Sequence, residues 1–201
     1  MRTPVFAVFD TETTGFKPHH GARLLEIGVV RVTADGAEQS RWGTLVHPGD
    51  NTDHGAVDIH GITPQMTADA PRFDQIVGDV IAQLDGALPV AHNAPFDTAF
   101  LAAEFSLAGI AWPDPPIADT LPAARRLVPG LTSYKLGDLA AALGIEFTGT
   151  AHTAVDDAAV TAKVLAKLLA RAPTMPWPAT DTTWPAVAAS GRAHTRQLQP
   201  T

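Results

Sequence analysis

Residues 5–15 read VFAVFDTETTG, an unbroken apolar run followed at once by two carboxylates. The apolar run at 5–9 is typical of a strand buried on both faces, because a surface strand would alternate with polar residues. Asp10 and Glu12 end this strand, and residues two positions apart in a strand project to the same side. Two converging like charges are unfavourable unless they are neutralised, as a divalent cation with oxygen ligands can do. This segment alone is equally compatible with a solvated loop.

The hydrophobic pattern of the rest of the chain predicts strands first, followed by helices that alternate with strands. Two further strands are predicted at 24–32 and 41–47, and the turn sequence at 34–37 indicates an antiparallel meander with the first strand. Spacings of three and four between apolar residues predict helices. One more strand is predicted at 88–91. Helices are predicted at 73–84, 95–107, 119–128, 134–143 and about 153–171. This order favours a mixed sheet covered by helices.

Composition limits the class of protein and its partners. The 201 residues are 45% hydrophobic with a net charge of −7, which allows one packed domain over 1–172 and argues against broad electrostatic coating of nucleic acid. The last 29 residues, 173–201, hold five prolines and three charged side chains, which predicts a flexible or partner-bound tail. No apolar run is long enough to span a membrane, no secretory leader is recognisable, and there is no cysteine. We therefore expect no membrane association and a cytoplasmic location.

A second acidic position follows the predicted strand at 88–91. Residues 92–96 lead into a helix whose opening turns contain Asp97. An acidic side chain at a helix N-terminus is stabilised by the helix dipole, so Asp97 by itself has a purely structural explanation. It becomes a ligand candidate only in combination with the other acidic positions.

The last predicted helix places one of two adjacent aspartates on its apolar side. At about 100° per residue from Asp156, Asp157 falls near 100°, between Val164 near 80° and Leu168 near 120°. A buried unpaired carboxylate is strongly disfavoured, so Asp157 requires a partner, for which a metal ion is the economical candidate. The alternative is that Asp157 reaches first-turn backbone N–H groups or water. His152 precedes this helix as a surface residue or, beside metal ions, as a base that takes a proton from water near neutral pH.

Three segments together resemble the motifs of the DEDDh 3′–5′ exonucleases, with the closest likeness to the proofreading epsilon subunit of bacterial DNA polymerase III and its stand-alone relatives. They are FDTETTG at 9–15, HNAPFDTAFL at 92–101 and HTAVDDAAV at 152–160, with similar sequence also in LLEIGVV at 24–30 and HGIT at 60–63. The resemblance covers about residues 4–171. It implies an α/β, ribonuclease H-like fold with a five-stranded mixed sheet flanked by helices.

The resemblance also assigns roles to individual residues. Asp10, Glu12, Asp97 and Asp157 match the four acidic metal ligands of the family, and His152 matches its general base. It implies two Mg²⁺ ions, for which Mn²⁺ can substitute, with Asp10 bridging and Asp97 supporting the second ion. Contacts to the terminal nucleotide, or simply roles in holding loops together, are expected for five further residues: Thr13, Thr14, Ile59, His60 and Asn93.

The implied activity is hydrolysis at 3′ ends of single-stranded or frayed DNA, with release of nucleoside 5′-monophosphates, in proofreading or repair. Arg125, Arg126 and Lys135 are candidates to guide the strand, or they form a solvated surface. Two other functions stay open: a DEDDh exoribonuclease that trims short RNA or RNA 3′ ends, and a non-catalytic subunit that binds strand ends or a polymerase. Trp177 and Trp184 suit a peptide that binds a DNA polymerase subunit, or a poorly ordered end.

Overall fold

The structure, a computed structural model, describes residues 4–146, 153–172, 184, 185 and 187. Its strands are β1 (Val5–Thr13), β2 (Leu24–Thr33), β3 (Glu38–Leu45), β4 (Leu88–Ala91) and β5 (Ala118–Asp119). Its helices are α1 (Val57–His60), α2 (Pro64–Thr67), α3 (Phe73–Leu84), α4 (Ala94–Leu107), α5 (Thr120–Leu127), α6 (Leu136–Ala142) and α7 (Ala154–Arg171), with a 3-10 turn at Pro18–His20. Within these described ranges, none of the helices combines the length and apolar character that crossing a bilayer requires.

The five strands form one mixed sheet in the order β3-β2-β1-β4-β5, which confirms the fold expected from the sequence. β1, β2 and β3 are antiparallel neighbours, whereas β4 and β5 run parallel to β1. β1 continues to Thr13, so Asp10 and Glu12 lie within the strand rather than after it. β5 was not expected from the pattern, because its two residues are too short for any periodicity and precede α5 directly.

Alternation along β1 sends its side chains to two different helical layers. Phe6 and Val8 pack towards α7, whereas Ala7 and Phe9 pack towards α3 and α4. Because the period of a strand is two residues, Asp10 and Glu12 continue the row that faces α7, and Thr11 continues the row that faces α4. The same strand end therefore presents polar groups to both layers.

The start of α7 lies unusually close to β2 at Gly28. A Cβ atom at Gly28 would stand 2.3 Å from the backbone nitrogen of Val155 and 2.4 Å from the carbonyl carbon of Ala154. Atoms of that kind do not approach so closely, so only glycine permits this contact. The absence of a side chain at one position thus brings the first turn of α7 down onto the sheet.

Trp184, in the segment predicted to be a tail, packs against the domain. Its side chain is 9% exposed, and its ring centroid lies 5.8 Å from that of Trp112. Trp112 in turn contacts Phe105 of α4, with ring centroids 5.0 Å apart. Trp177 and most of 173–201 lie outside the described residues, so the flexibility of the tail as a whole stays a prediction.

Replacing Gly28 by Ala should destabilise the protein by about 3 kcal/mol, because the added methyl group overpacks the contact between β2 and α7. Urea unfolding of the variant and the wild type measures the change. Gly43→Ala is the matched control, since its Cβ would stand 3.2 Å from Val155 Cβ and 3.4 Å from the Ile27 carbonyl oxygen, a much milder overlap than at Gly28. Equal destabilisation by the two substitutions would contradict the special role of Gly28.

Candidate active site

Three of the predicted acidic residues meet at one end of the sheet. Asp10 and Glu12 on β1 and Asp157 on α7 each offer a carboxylate oxygen, and these oxygens all lie within 4.8 Å of one another. Ligands on opposite sides of a Mg²⁺ ion are about 4 Å apart, so the spacing suits a cation held by hard oxygen donors. All three side chains are partly buried. The fold thereby brings Asp157 of α7 next to Asp10 and Glu12 of β1, which are 145 or more positions away in sequence.

Asp97 approaches the same end of the sheet from the opposite layer. It lies in the first turn of α4, is 3% exposed, and accepts a 2.7 Å hydrogen bond from the Thr11 hydroxyl group. Thr11 points to this layer because it is out of phase with Asp10 and Glu12. The motif residue between the two acids therefore links the first motif to the second.

Burial and neighbouring negative charges raise the pKa values of Asp10, Glu12 and Asp97. The pKa of Glu12 rises from 4.5 to about 8, first through burial and then through the negative charges of Asp157, Glu26 and Asp97. Burial also raises the pKa of Asp97 from 3.8 to about 7, although the hydrogen bond from Thr11 opposes the increase. For Asp10, burial and the neighbouring Asp97, Asp157 and Glu12 raise the pKa well above its usual value. Such a group is poorly compatible with full ionisation unless a cation compensates it.

The position of α4 is determined by a hydrogen-bonded junction between β4 and β5. Asn93 adopts a left-handed conformation (φ 66°, ψ 50°) immediately before the helix, and its backbone N–H donates to Asp119. His92 contacts the Thr120 hydroxyl and the Tyr134 carbonyl oxygen, and burial lowers its pKa. A carbonyl only accepts, so Nε2 of His92 donates to Tyr134. The side chain of Asn93 is exposed at this junction.

The other residues predicted to contact the substrate differ in whether their side chains already make hydrogen bonds within the protein. Thr13 donates to the Gly15 carbonyl, and the Thr14 hydroxyl accepts from the Arg23 backbone N–H, so both hydroxyl groups hold the loop after β1. His60 is 6% exposed, and its two ring nitrogens contact the His54 carbonyl and the Ile62 N–H. Ile59, in contrast, is 61% exposed. Substrate contact by these four residues stays a prediction.

The two adjacent aspartates of α7 have different surroundings, as the helical periodicity indicated. Asp157 joins the acidic group, whereas Asp156 accepts from Thr153 and lies 3.5 Å from the Arg41 guanidinium. His152, the predicted general base, lies outside the described residues.

Sequence reasoning missed two residues beside this site, Thr11 and Glu26, and the exposed Phe16 that follows the first motif in sequence. No role was predicted for Thr11, which stands between Asp10 and Glu12. No role was predicted for Glu26 either, although its charge interrupts an apolar strand. Phe16 follows the first motif and is 81% exposed, an unusual exposure for an aromatic side chain. The signal for Glu26 and Phe16 was present in the pattern: a charge in a buried strand and a large apolar residue in a polar loop.

Comparison with known proteins agrees with this geometry. The sequence profile of the exonuclease family RNase_T matches residues 7–165, which include every carboxylate of the group. The chain belongs to this exonuclease family. Together with the relatives described next, the match confirms the 3′–5′ exonuclease assignment that the three motifs indicated.

Individual relatives differ in how much of their length the exonuclease chain covers. It is 37% identical over 167 residues to the DNA polymerase III subunit epsilon of Treponema pallidum, covering 82% of this chain and 76% of the relative. It is 32% identical over 178 residues to the 3′-5′ exonuclease DinG of Bacillus subtilis, covering 89% of this chain but 19% of the relative. The chain thus spans less than a fifth of DinG.

Solved structures support the same fold. Exonuclease X in complex with 5′ overhanging duplex DNA is 28% identical with a TM-score of 0.65, covering 84% of this chain and 93% of that structure. The nuclease domain of 3′hExo, a DEDDh family member bound to rAMP, has a TM-score of 0.74 at 18% identity, covering 88% of this chain and 97% of that structure. The second likeness concerns the fold alone.

Mg²⁺ should raise the melting temperature of this exonuclease more at about pH 8 than at about pH 6. The native pKa values of Glu12 and Asp97, about 8 and about 7, exceed their ordinary 4.5 and 3.8. Protonated carboxyl groups therefore stabilise the metal-free protein fully below about pH 4, and this contribution is lost as the pH rises through about 7 to 8. Ionised carboxylates then repel one another and are ready to bind a cation.

Thermal unfolding followed by differential scanning fluorimetry, with and without MgCl₂ at both pH values, measures this effect. Glu12→Gln should shrink the difference between the two pH values, because it removes one titrating ligand. An equal Mg²⁺-induced shift at both pH values would contradict the link between protonation and cation binding.

Proposed function

We propose that the chain hydrolyses phosphodiester bonds at the 3′ ends of single-stranded or frayed DNA, releasing nucleoside 5′-monophosphates, with two divalent cations, in proofreading or repair. The observation that carries this proposal is the convergence of Asp10, Glu12 and Asp157 on one point, with Asp97 beside them. Isolated acidic residues have structural explanations. A partly buried group with raised pKa values at the end of a sheet is better explained by cation binding.

Asp97 is not a member of the group of three carboxylates but lies close enough to Asp10 to raise its pKa, and this supports a second cation position. Asp10, Glu12 and Asp157 would hold one ion, and Asp10 and Asp97 the second. When bound, the cations supply Lewis-acid stabilisation of the attacked phosphate and of the departing 3′ oxygen, and they lower the pKa of water. Mg²⁺ is the proposed ion, with Mn²⁺ able to replace it, because both prefer oxygen ligands.

The protein's own residues position the groups and move the proton in this proposal. Thr11 holds the Asp97 carboxylate through its 2.7 Å hydrogen bond, which favours the ionised form. His152 would accept the proton of the attacking water, since imidazole titrates near neutral pH. Its position five residues before Asp157 places it close in sequence to the α7 ligand.

An acidic chain can act on nucleic acid if it binds only the strand end. Two divalent ions carry about +4, which offsets four ligand carboxylates and makes the pocket tolerant of a phosphate. Phe16, which is 81% exposed, offers a ring on which a terminal base can stack, and Ile59, which is 61% exposed, offers apolar surface for a base to pack against. The close contact at Gly55 supports a position of Ile59 near the first motif. A Cβ at Gly55 would lie 2.1 Å from the Thr14 carbonyl oxygen, so the segment that leads to Ile59 lies against that motif. Arg125, Arg126 and Lys135 are exposed and remain candidates to guide the strand.

The preference for DNA rests on the relatives. The epsilon subunit of Treponema pallidum is 37% identical, and Exonuclease X, 28% identical, was solved with duplex DNA. A DNA polymerase subunit is therefore the protein partner that we propose.

A nuclease assay with end-labelled oligonucleotides tests the proposal. Single-stranded, paired and mismatched DNA, labelled at either end, should be shortened stepwise from the 3′ end in Mg²⁺ or Mn²⁺. A 3′ label should appear at once as a mononucleotide. Faster hydrolysis of the matched RNA would instead favour an exoribonuclease, and no hydrolysis of any substrate would favour a non-catalytic binding subunit.

Asp157→Asn should lower kcat by about 1,000-fold, because it removes several kcal/mol of metal-dependent transition-state stabilisation. Asp156→Asn is the matched control, since its side chain contacts Thr153 and Arg41 rather than the acidic group. Its kcat should stay within a few-fold of the wild type. Similar activity of the two variants would refute the site assignment.

Phe16→Ala should raise KM for single-stranded DNA by about 10-fold with little change in kcat, because base–aromatic stacking contributes about 1–3 kcal/mol. Leu107→Ala is a suitable control: Leu107 is also 66% exposed, but it lies about 15 Å along α4 from Asp97. Steady-state kinetics on one oligonucleotide give KM and kcat for both variants and the wild type. An unchanged KM in Phe16→Ala would exclude this residue from the substrate site.

A further inference from the structure

Glu26 is an acidic residue outside the three motifs that lies beside the active site. It stands on β2 directly opposite Glu12 of β1, so the two side chains share the face of the sheet that α7 covers. Its carboxylate oxygen Oε2 accepts a 3.0 Å hydrogen bond from the backbone N–H of Ala154. Ala154 is the first residue of α7, and Asp157 follows three positions later.

The charge of Glu26 is unfavourable for its neighbours. It adds a negative charge next to Asp10 and Glu12, and thereby contributes to raising the pKa of both. A neutral side chain at this position would reduce the repulsion. One contact that offsets part of this cost is the N-terminus of α7, where backbone N–H groups lack partners within the helix and the helix dipole favours an anion.

Two neighbouring features of β2 hold the first turn of α7 against the sheet. Gly28, two residues further on the same face, allows the backbone of Ala154 and Val155 to approach the strand. Glu26 adds a directional hydrogen bond, which is stronger because the acceptor is charged. Close packing limits the distance between helix and sheet, whereas the hydrogen bond opposes sliding and rotation of the first turn.

A shift of that first turn acts directly on the active site. Asp157 lies within one helical turn of Ala154, and a helix moves as a rigid segment over that length. Its carboxylate must stay within ligand distance of Asp10 and Glu12, whose own positions are determined by the ladder between β1 and β2.

We propose that Glu26 is a positioning residue: by accepting the Ala154 N–H, it anchors the first turn of α7 to β2 and holds Asp157 in register with Asp10 and Glu12 for cation binding. The cation binding itself rests on the proposed function. Glu26 here acts through Asp157 and is not assigned contact with the substrate.

Glu26→Leu and Glu26→Gln form the test pair. Leu has a similar size but no acceptor, whereas Gln keeps an acceptor oxygen at the same reach without the charge. Isothermal titration of the substrate-free protein with Mn²⁺ should show an affinity about 10-fold lower in Glu26→Leu, as expected when a partner that orients a ligand is lost. Glu26→Gln should bind Mn²⁺ within a few-fold of the wild type.

Amide hydrogen exchange followed by NMR gives a second readout. The Ala154 amide should exchange faster in Glu26→Leu and stay protected in Glu26→Gln, while amides of β1 and α3 report that the fold is intact. If Glu26→Leu does not fold, Glu26→Ala takes its place in the comparison.

Wild-type Mn²⁺ affinity in Glu26→Leu would overturn the proposal, as would an equal loss in Glu26→Gln, which would assign the effect to charge. Unchanged protection of Ala154 in Glu26→Leu would also overturn it. A wild-type protein that binds Mn²⁺ but hydrolyses no nucleic acid would contradict only the proposed function. An active nuclease without contrast between the variants would contradict only the role of Glu26.

Discussion

The rest of the fold must offset the repulsion between three carboxylates. The oxygens of Asp10, Glu12 and Asp157 lie within 4.8 Å of one another. Each group would be more stable in water or farther from the others. The sheet ladder fixes two of them, and the packing of α7 fixes the third. Such a local cost persists only where the surrounding structure determines the geometry, and here it keeps a cation-binding arrangement assembled in advance.

Both faces of the sheet contribute to this arrangement, and a single strand connects them. β1 sends Asp10 and Glu12 towards α7, and Thr11 towards Asp97 of α4. An apolar side chain at position 11 would still fit a buried strand, but it would leave Asp97 without the hydroxyl donor. The consecutive residues 10–12 thus combine the two helical layers into one site.

Local patterns in the chain predicted most elements but not all of their details. Long periodic segments such as α3 and α7 and the apolar run of β1 were predicted correctly, because burial on one face imposes a repeat. β5 has two residues and carries no repeat, so only its pairing with β4 identifies it. His60 matched a substrate-binding segment in the sequence, yet its ring nitrogens contact the protein. Trp184 gave no local sign of the aromatic partner, Trp112, against which it packs.

The sequence by itself determined the chemistry: which side chains are acidic, that two of them alternate on one strand, and that Asp157 rather than Asp156 turns towards the apolar side of its helix. These are consequences of residue type and of the periods of strand and helix, which act over a few residues. Only the tertiary structure decided that the helix start reaches β2 at Gly28, that Glu26 binds the Ala154 N–H, and that Thr11 meets Asp97. Those contacts join residues up to 128 positions apart, and their geometry depends on how whole layers pack.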